Sequence, residues 1–110
     1  MTTKEFITVC PVDVIPEGQR AVFSIKDRWI AIFCVSGRYY AIEDVCTHDG
    51  NVLSEDLGGN EIPLDGYEIT CSRHGARFDI RTGKVTRGPA LIDVRWFEVR
   101  VRDGEIEVAV

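Results

Sequence analysis

Cys46-Thr47-His48 and Cys71-Ser72-Arg73-His74 constrain this chain more than any other feature of it. They read C-x-H and C-x-x-H, are separated by the 22 residues 49–70, and use both histidines of the chain. Each motif offers one thiolate and one imidazole. If all four serve one metal centre, two loops distant in sequence must meet. Cys46 and His48 stand two apart, so a continuous strand would point both at one face, whereas a loop can aim them at different metals.

The rest of the chain reads as short strands and turns. Phe6–Cys10, Ala21–Ile25, Trp29–Val35 and Tyr39–Glu43 are rich in β-branched and aromatic residues. Pro16-Glu17-Gly18, Lys26-Asp27-Arg28 and Ser36-Gly37-Arg38 punctuate them, and the last two fit hairpin turns. Val94–Arg102 and Glu105–Val110 flank Asp103-Gly104, a strong hairpin signal. Tyr39–Val45 leads into the first motif and Tyr67–Thr70 into the second. Helical periodicity is missing from every long window, and only Leu53–Leu57 has room for one helical turn. An all-β antiparallel sandwich or small barrel follows. At 110 residues it is expected to be one domain, 1–110. The Gly-rich section 45–90 is expected to be a loop-built subdomain inserted on that β base.

Composition removes several classes of function. A net charge of −5 argues against nucleic acid and fits steering toward a basic partner face. No stretch approaches the roughly 20 apolar residues that span a bilayer. The start, Met1-Thr2-Thr3-Lys4-Glu5, lacks the pattern of a signal peptide, so a cytoplasmic location is expected. In that compartment four cysteines argue for metal rather than disulfides. Cys34, inside Trp29–Val35, and Cys10, before Pro11, read as small buried hydrophobes.

Cys46, His48, Cys71 and His74 form the ligand set of a Rieske-type [2Fe–2S] cluster, two cysteines on one iron and two histidines on the other. Zinc is the alternative for a Cys₂His₂ set. Its fingers, however, pair like ligands as C-x₂₋₄-C and H-x₃₋₅-H, and here each motif mixes them.

On these motifs the chain resembles the Rieske ferredoxin family over nearly its whole length. The resemblance rests on Cys46-Thr47-His48-Asp49-Gly50, on Cys71-Ser72-Arg73-His74-Gly75-Ala76-Arg77-Phe78-Asp79, on Thr82-Gly83-Lys84 and on Gly88-Pro89-Ala90. The opening Val9–Gly18 is also similar. The resemblance implies a β-sandwich base carrying one [2Fe–2S] cluster at its tip. Cys46 and Cys71 would hold the inner iron and His48 and His74 the outer one. Gly88-Pro89-Ala90 would be a proline loop covering the third side, and Phe78 would pack beneath the cluster. The chain departs from the respiratory members of this fold family. Their disulfide cysteines correspond to Asn51 and Arg73, and their hydrogen-bonding serine and tyrosine to Ala76 and Phe78, which have no side-chain donor. The inter-motif gap is longer than is common, and the extra residues are placed at Glu55–Asp65.

The missing donors at Ala76 and Phe78 predict a low potential, and the resemblance implies an electron carrier, not an enzyme. It would take electrons from a flavin-dependent ferredoxin reductase and pass them to a terminal non-haem iron oxygenase of aromatic hydrocarbon catabolism. Contacts would be transient and the carrier monomeric. An oxygenase of its own would need a 2-His-1-carboxylate triad, and both histidines are already assigned. An accessory subunit of another redox enzyme, such as nitrite reductase, and a structural zinc module are the alternatives. Trp29 and Trp96 are read as packing residues rather than electron conduits. Arg73 and Arg77 are read either as contacts to an acidic partner or groups that tune the cluster, or as plain solvated charge.

Overall fold

Two-residue turns organise most of the chain. In the computed structural model, which describes residues 5–47, 52–55, 60–72, 75–90 and 92–110, Lys26 and Asp27, Ser36 and Gly37, and Asp103 and Gly104 all have positive φ. Positive φ at both central positions is the hairpin geometry whose twist matches that of the flanking strands. These turns join β2 (Arg20–Ile25) to β3 (Arg28–Val35), β3 to β4 (Arg38–Glu43), and β9 (Val99–Arg102) to β10 (Glu105–Ala109).

The described strands form three antiparallel sheets. β1 (Phe6–Pro11), β10 and β9 make an outer sheet in that order, with a bulge in β1 between Thr8 and Cys10. The middle sheet runs β2-β3-β4-β8, where β8 is Trp96–Phe97. The third consists of β5 (Glu68–Thr70), β6 (Arg77–Asp79) and β7 (Val85–Arg87).

β3 explains how the layers stack. Ile30, Ala31, Ile32, Phe33 and Cys34 are all buried, although successive strand residues face opposite ways. Ile30, Ile32 and Cys34 enter a core with Ile15, Phe97, Ile106 and Val108 of the base. Ala31 and Phe33 enter a second core with Ile69, Phe78, Ile80 and Val94. An unbroken apolar run is the signature of a strand covered on both faces.

The all-β antiparallel expectation matches this architecture. Four details differ from the sequence reading. The expected strand Val94–Arg102 is two strands, because β8 pairs with β4 while β9 pairs with β10. Alternation cannot reveal that the chain changes sheets at Glu98. The section 45–90 is not built of loops alone, since it contains β5, β6 and β7, each too short to show a period. Val12–Val14 forms a 3-10 turn behind Pro11. Leu53–Glu55 forms no helical turn, and Glu55 instead bridges Glu61; Asp56 and Leu57 lie outside the described residues.

The third sheet is fastened to the base at Gly83. Its φ is +73°, its carbonyl accepts a 2.8 Å bond from Val94 N, and a Cβ there would lie 1.9 Å from the Val94 carbonyl oxygen. The neighbouring Asp79 accepts bonds from the backbone N and the guanidinium of Arg81. That pairing, the side-chain hydrogen bond above all, lowers the Asp79 pKa from its ordinary value. Arg81 also lies over the Tyr67 ring, 4.1 Å from its centroid.

Candidate metal centre

Three chain segments converge on the apolar core between the middle and third sheets. The first leaves β4: Asp44 N donates to Trp29 O at 2.8 Å, Val45 N to Glu43 O at 2.9 Å, and Cys46 follows, fully buried. The second leaves β5 at Cys71, also buried. Cys71 N donates to Ala76 O at 2.7 Å and Gly75 N to Cys71 O at 3.0 Å, which closes a tight loop before β6. The third follows β7 through the cis Gly88–Pro89 bond to buried Ala90. The hydroxyl of Thr47 donates to the Ile92 carbonyl and ties the first segment to the third.

Cys46, Cys71, Leu53, Ala76, Phe78 and Ala90 belong to one buried cluster. The two expected cysteine ligands are therefore brought into one apolar environment. None of the four cysteines is in a disulfide. Paired soft donors without a disulfide, shielded from water, are what an iron–sulfur centre requires of its cysteine side. The residues present fit such a group. His48 and His74, the other two expected ligands, lie outside the described residues, as do Asp49, Gly50, Asn51 and Arg73. Among the described residues, no group of three or more His, Cys, Asp or Glu side chains gathers around a metal position.

The remaining notable side chains sort themselves by burial and pairing. Cys10 and Cys34 lie in the other core, and desolvation by burial raises the pKa of both thiols. They are not near the centre and are poor thiolates. Phe78 and Ala76 are fully buried in the same cluster as Cys46 and Cys71. Arg77 does not stand as a free cation, since Nη1 binds Asp65 at 3.2 Å and Glu68 at 3.3 Å. Trp29 and Trp96 are exposed rather than packed into either core, at 61% and 49%. Val52 and Ile92, in the first and third segments, are exposed apolar residues.

Asp44 escaped the sequence reading. Its carboxylate is buried and accepts from Leu53 N, Ser54 N and the Ser54 hydroxyl. The available signal was an acidic residue in the strand-like run leading to Cys46, where burial would demand donors.

Comparison with known proteins agrees with this geometry. A family model described as the Rieske [2Fe–2S] domain matches residues 5–98. The ferredoxin component of the p-cumate 2,3-dioxygenase system of Pseudomonas putida is 38% identical over 109 residues, covering 96% of this chain and 86% of the relative. The biphenyl dioxygenase ferredoxin subunit of Pseudomonas sp. (strain KKS102) is 36% identical over 103 residues, covering 94% and 90%. Among solved structures, a chain in the complex of reduced oxygenase and oxidized ferredoxin in carbazole 1,9a-dioxygenase superposes with a TM-score of 0.80 at 32% identity, covering 94% of this chain and 92% of that one.

Proposed function

This chain belongs to the Rieske [2Fe–2S] domain family, and on that premise we propose that it carries single electrons from a flavin-dependent reductase to a terminal non-haem iron oxygenase. The relatives are ferredoxin components of dioxygenase systems, electron-transfer subunits rather than catalysts. The observation that carries the reading is the pair of fully buried cysteines outside any disulfide, Cys46 and Cys71, in one apolar cluster. Cys46 and Cys71 would hold one iron and His48 and His74 the other, all within a single domain spanning 1–110 whose cluster-binding part is 45–90.

When bound, the cluster takes up and releases one electron. The chain's own residues do the rest. The loop closed by Cys71 N and Ala76 O holds one thiolate in place. Leu53, Phe78 and Ala90 exclude water from the sulfur side. Ala76 and Phe78 offer no side-chain hydrogen bond, so the reduced state receives less stabilisation than a hydroxyl-bearing pair would give it. A low potential within the Rieske range of about −150 to +300 mV follows.

The partner contact is expected to be small and transient, below ~1,200 Å² in total, as suits a carrier that must release one partner to reach the next. Val52 and Ile92 supply apolar surface beside the loops, and the protein is expected to act as a monomer in the cytoplasm. No helix of the described residues is long and apolar enough to cross a membrane.

The test is the EPR spectrum of anaerobically purified, dithionite-reduced protein. A rhombic signal of low average g is expected, together with equimolar iron and sulfide. Cys71→Ser and His74→Cys should each destroy or convert that signal and abolish electron delivery. A colourless zinc protein, or a wild-type spectrum retained in either variant, would refute the ligand assignment.

A further inference from the structure

The two ligand-bearing loops are closed by different means. The second is closed by backbone bonds, Cys71 N to Ala76 O and Gly75 N to Cys71 O. For the first, which runs from Asp44 to Leu53, no backbone–backbone bond among the described residues joins the two ends. A side chain does so instead. Asp44 Oδ1 accepts Leu53 N at 3.0 Å and Ser54 N at 2.8 Å, and Oδ2 accepts the Ser54 hydroxyl at 2.7 Å.

The clamp is itself anchored on both sides. Asp44 N is bonded to Trp29 O, which fixes the aspartate to β3. The Ser54 carbonyl accepts Ile62 N at 3.0 Å and Arg20 Nη1 at 3.2 Å, and the Arg20 guanidinium lies over the Phe33 ring. Asp44 is only 5% exposed and Ser54 1%. A carboxylate at that depth persists only if donors replace its water, and here three do. Bonds to an ionised acceptor are stronger than neutral ones. An ordinary buried turn could be closed by a neutral side chain without the desolvation penalty of a charge, so the choice of a carboxylate two residues before Cys46 calls for a reason.

We infer that Asp44 is a positioning residue for the first ligand loop, and that the carboxylate held in this clamp keeps the reduction potential of the centre down. The inference rests on Cys46 being a ligand. Closing the loop at both ends sets the span in which Cys46 must present its sulfur. Both oxygens of Asp44 accept hydrogen bonds, the pattern of a carboxylate, and a negative charge beside the ligand loop opposes the arrival of an electron. Position and charge are thus supplied by one side chain, and substitutions separate them.

Asp44→Asn keeps the length of the side chain and an oxygen for the two backbone donors, and removes the charge. The expected result is a normally loaded cluster whose potential rises by a tenfold change in the reduction equilibrium, about 59 mV for one electron. Asp44→Ala removes both functions. Its cluster should bleach in air at least tenfold faster than wild type, with displaced EPR g values. Ser54→Ala keeps the charge and both backbone donors, so its potential should stay at the wild-type value. An unmoved potential in Asp44→Asn overturns the inference whatever the other variants do. Wild-type g values and bleaching rate in Asp44→Ala overturn the positioning half. Should Asp44→Ala fail to fold, the Asp44→Asn potential alone decides. A wild type with no Rieske signal fails the ligand reading and this inference together. A wild type with that signal and an unmoved Asp44→Asn fails this inference alone.

Discussion

Ala76 and Phe78 are chemically silent side chains in a place where a hydroxyl would count. Both are fully buried in the cluster that contains Cys46 and Cys71. A hydrogen bond to a charged group contributes about 1.5–3 kcal/mol, and about 1.4 kcal/mol is a tenfold change in equilibrium. Only the part of that energy favouring the reduced state shifts a one-electron potential. Ala76→Ser combined with Phe78→Tyr is therefore expected to raise the midpoint on the order of 100 mV. Protein-film voltammetry measures it directly, and a double variant at the wild-type midpoint would remove these positions from the control of potential. At this scale the sequence was informative where chemistry is carried by type and spacing. Cys46 and Cys71 could be picked out from their motifs, and the inert character of Cys10 and Cys34 from their apolar neighbours. Asp44 was passed over, because its place in the run leading to Cys46 hints at burial while the partners that satisfy it lie nine and ten residues away.

Among the elements, short ones carry the attachment of the metal-side sheet to the base. Gly83 stands where the turn after β6 presses on Val94, with positive φ and no room for a methyl group. A left-handed residue with a side chain costs roughly 1–2 kcal/mol, and forcing volume into a packed site typically costs a further ~1–3 kcal/mol. Gly83→Ala is thus expected to destabilise the protein by about 2–5 kcal/mol. Urea denaturation would show it as a lowered midpoint, and a midpoint equal to wild type would mean that the turn yields freely. The three hairpins could be foreseen because turn chemistry is local: Ser36-Gly37 and Asp103-Gly104 announce positive φ in their own residues. The division of Val94–Arg102 into β8 and β9 could not. The strand changes partner at Glu98, and the Glu98 carbonyl already bonds Ala109 N of the outer sheet. β5 lies within the run Tyr67–Thr70 that leads into the second motif, whereas β6 and β7 were missed for a simpler reason, since three residues hold barely one alternation.

Across the whole molecule, β3 serves as a partition between two apolar interiors. Ile30, Ile32 and Cys34 face the base, and Ala31 and Phe33 face the metal side. Its neighbours β2 and β4 pair with it along nearly its full length. A strand shielded on both faces and bonded on both edges opens only when everything around it opens. The amide protons of Ile30–Cys34 should consequently be the last to exchange with deuterium, while those of β5–β7 exchange earlier once iron is withdrawn by a chelator. Exchange mass spectrometry on loaded and iron-depleted protein would resolve this, and equal loss of protection in both regions would count against two separable units. The partition then has a consequence for the life of the carrier. If the two regions prove separable, a chain that has lost its iron to oxidants keeps a folded half on which the other can re-form, and the damage is open to repair.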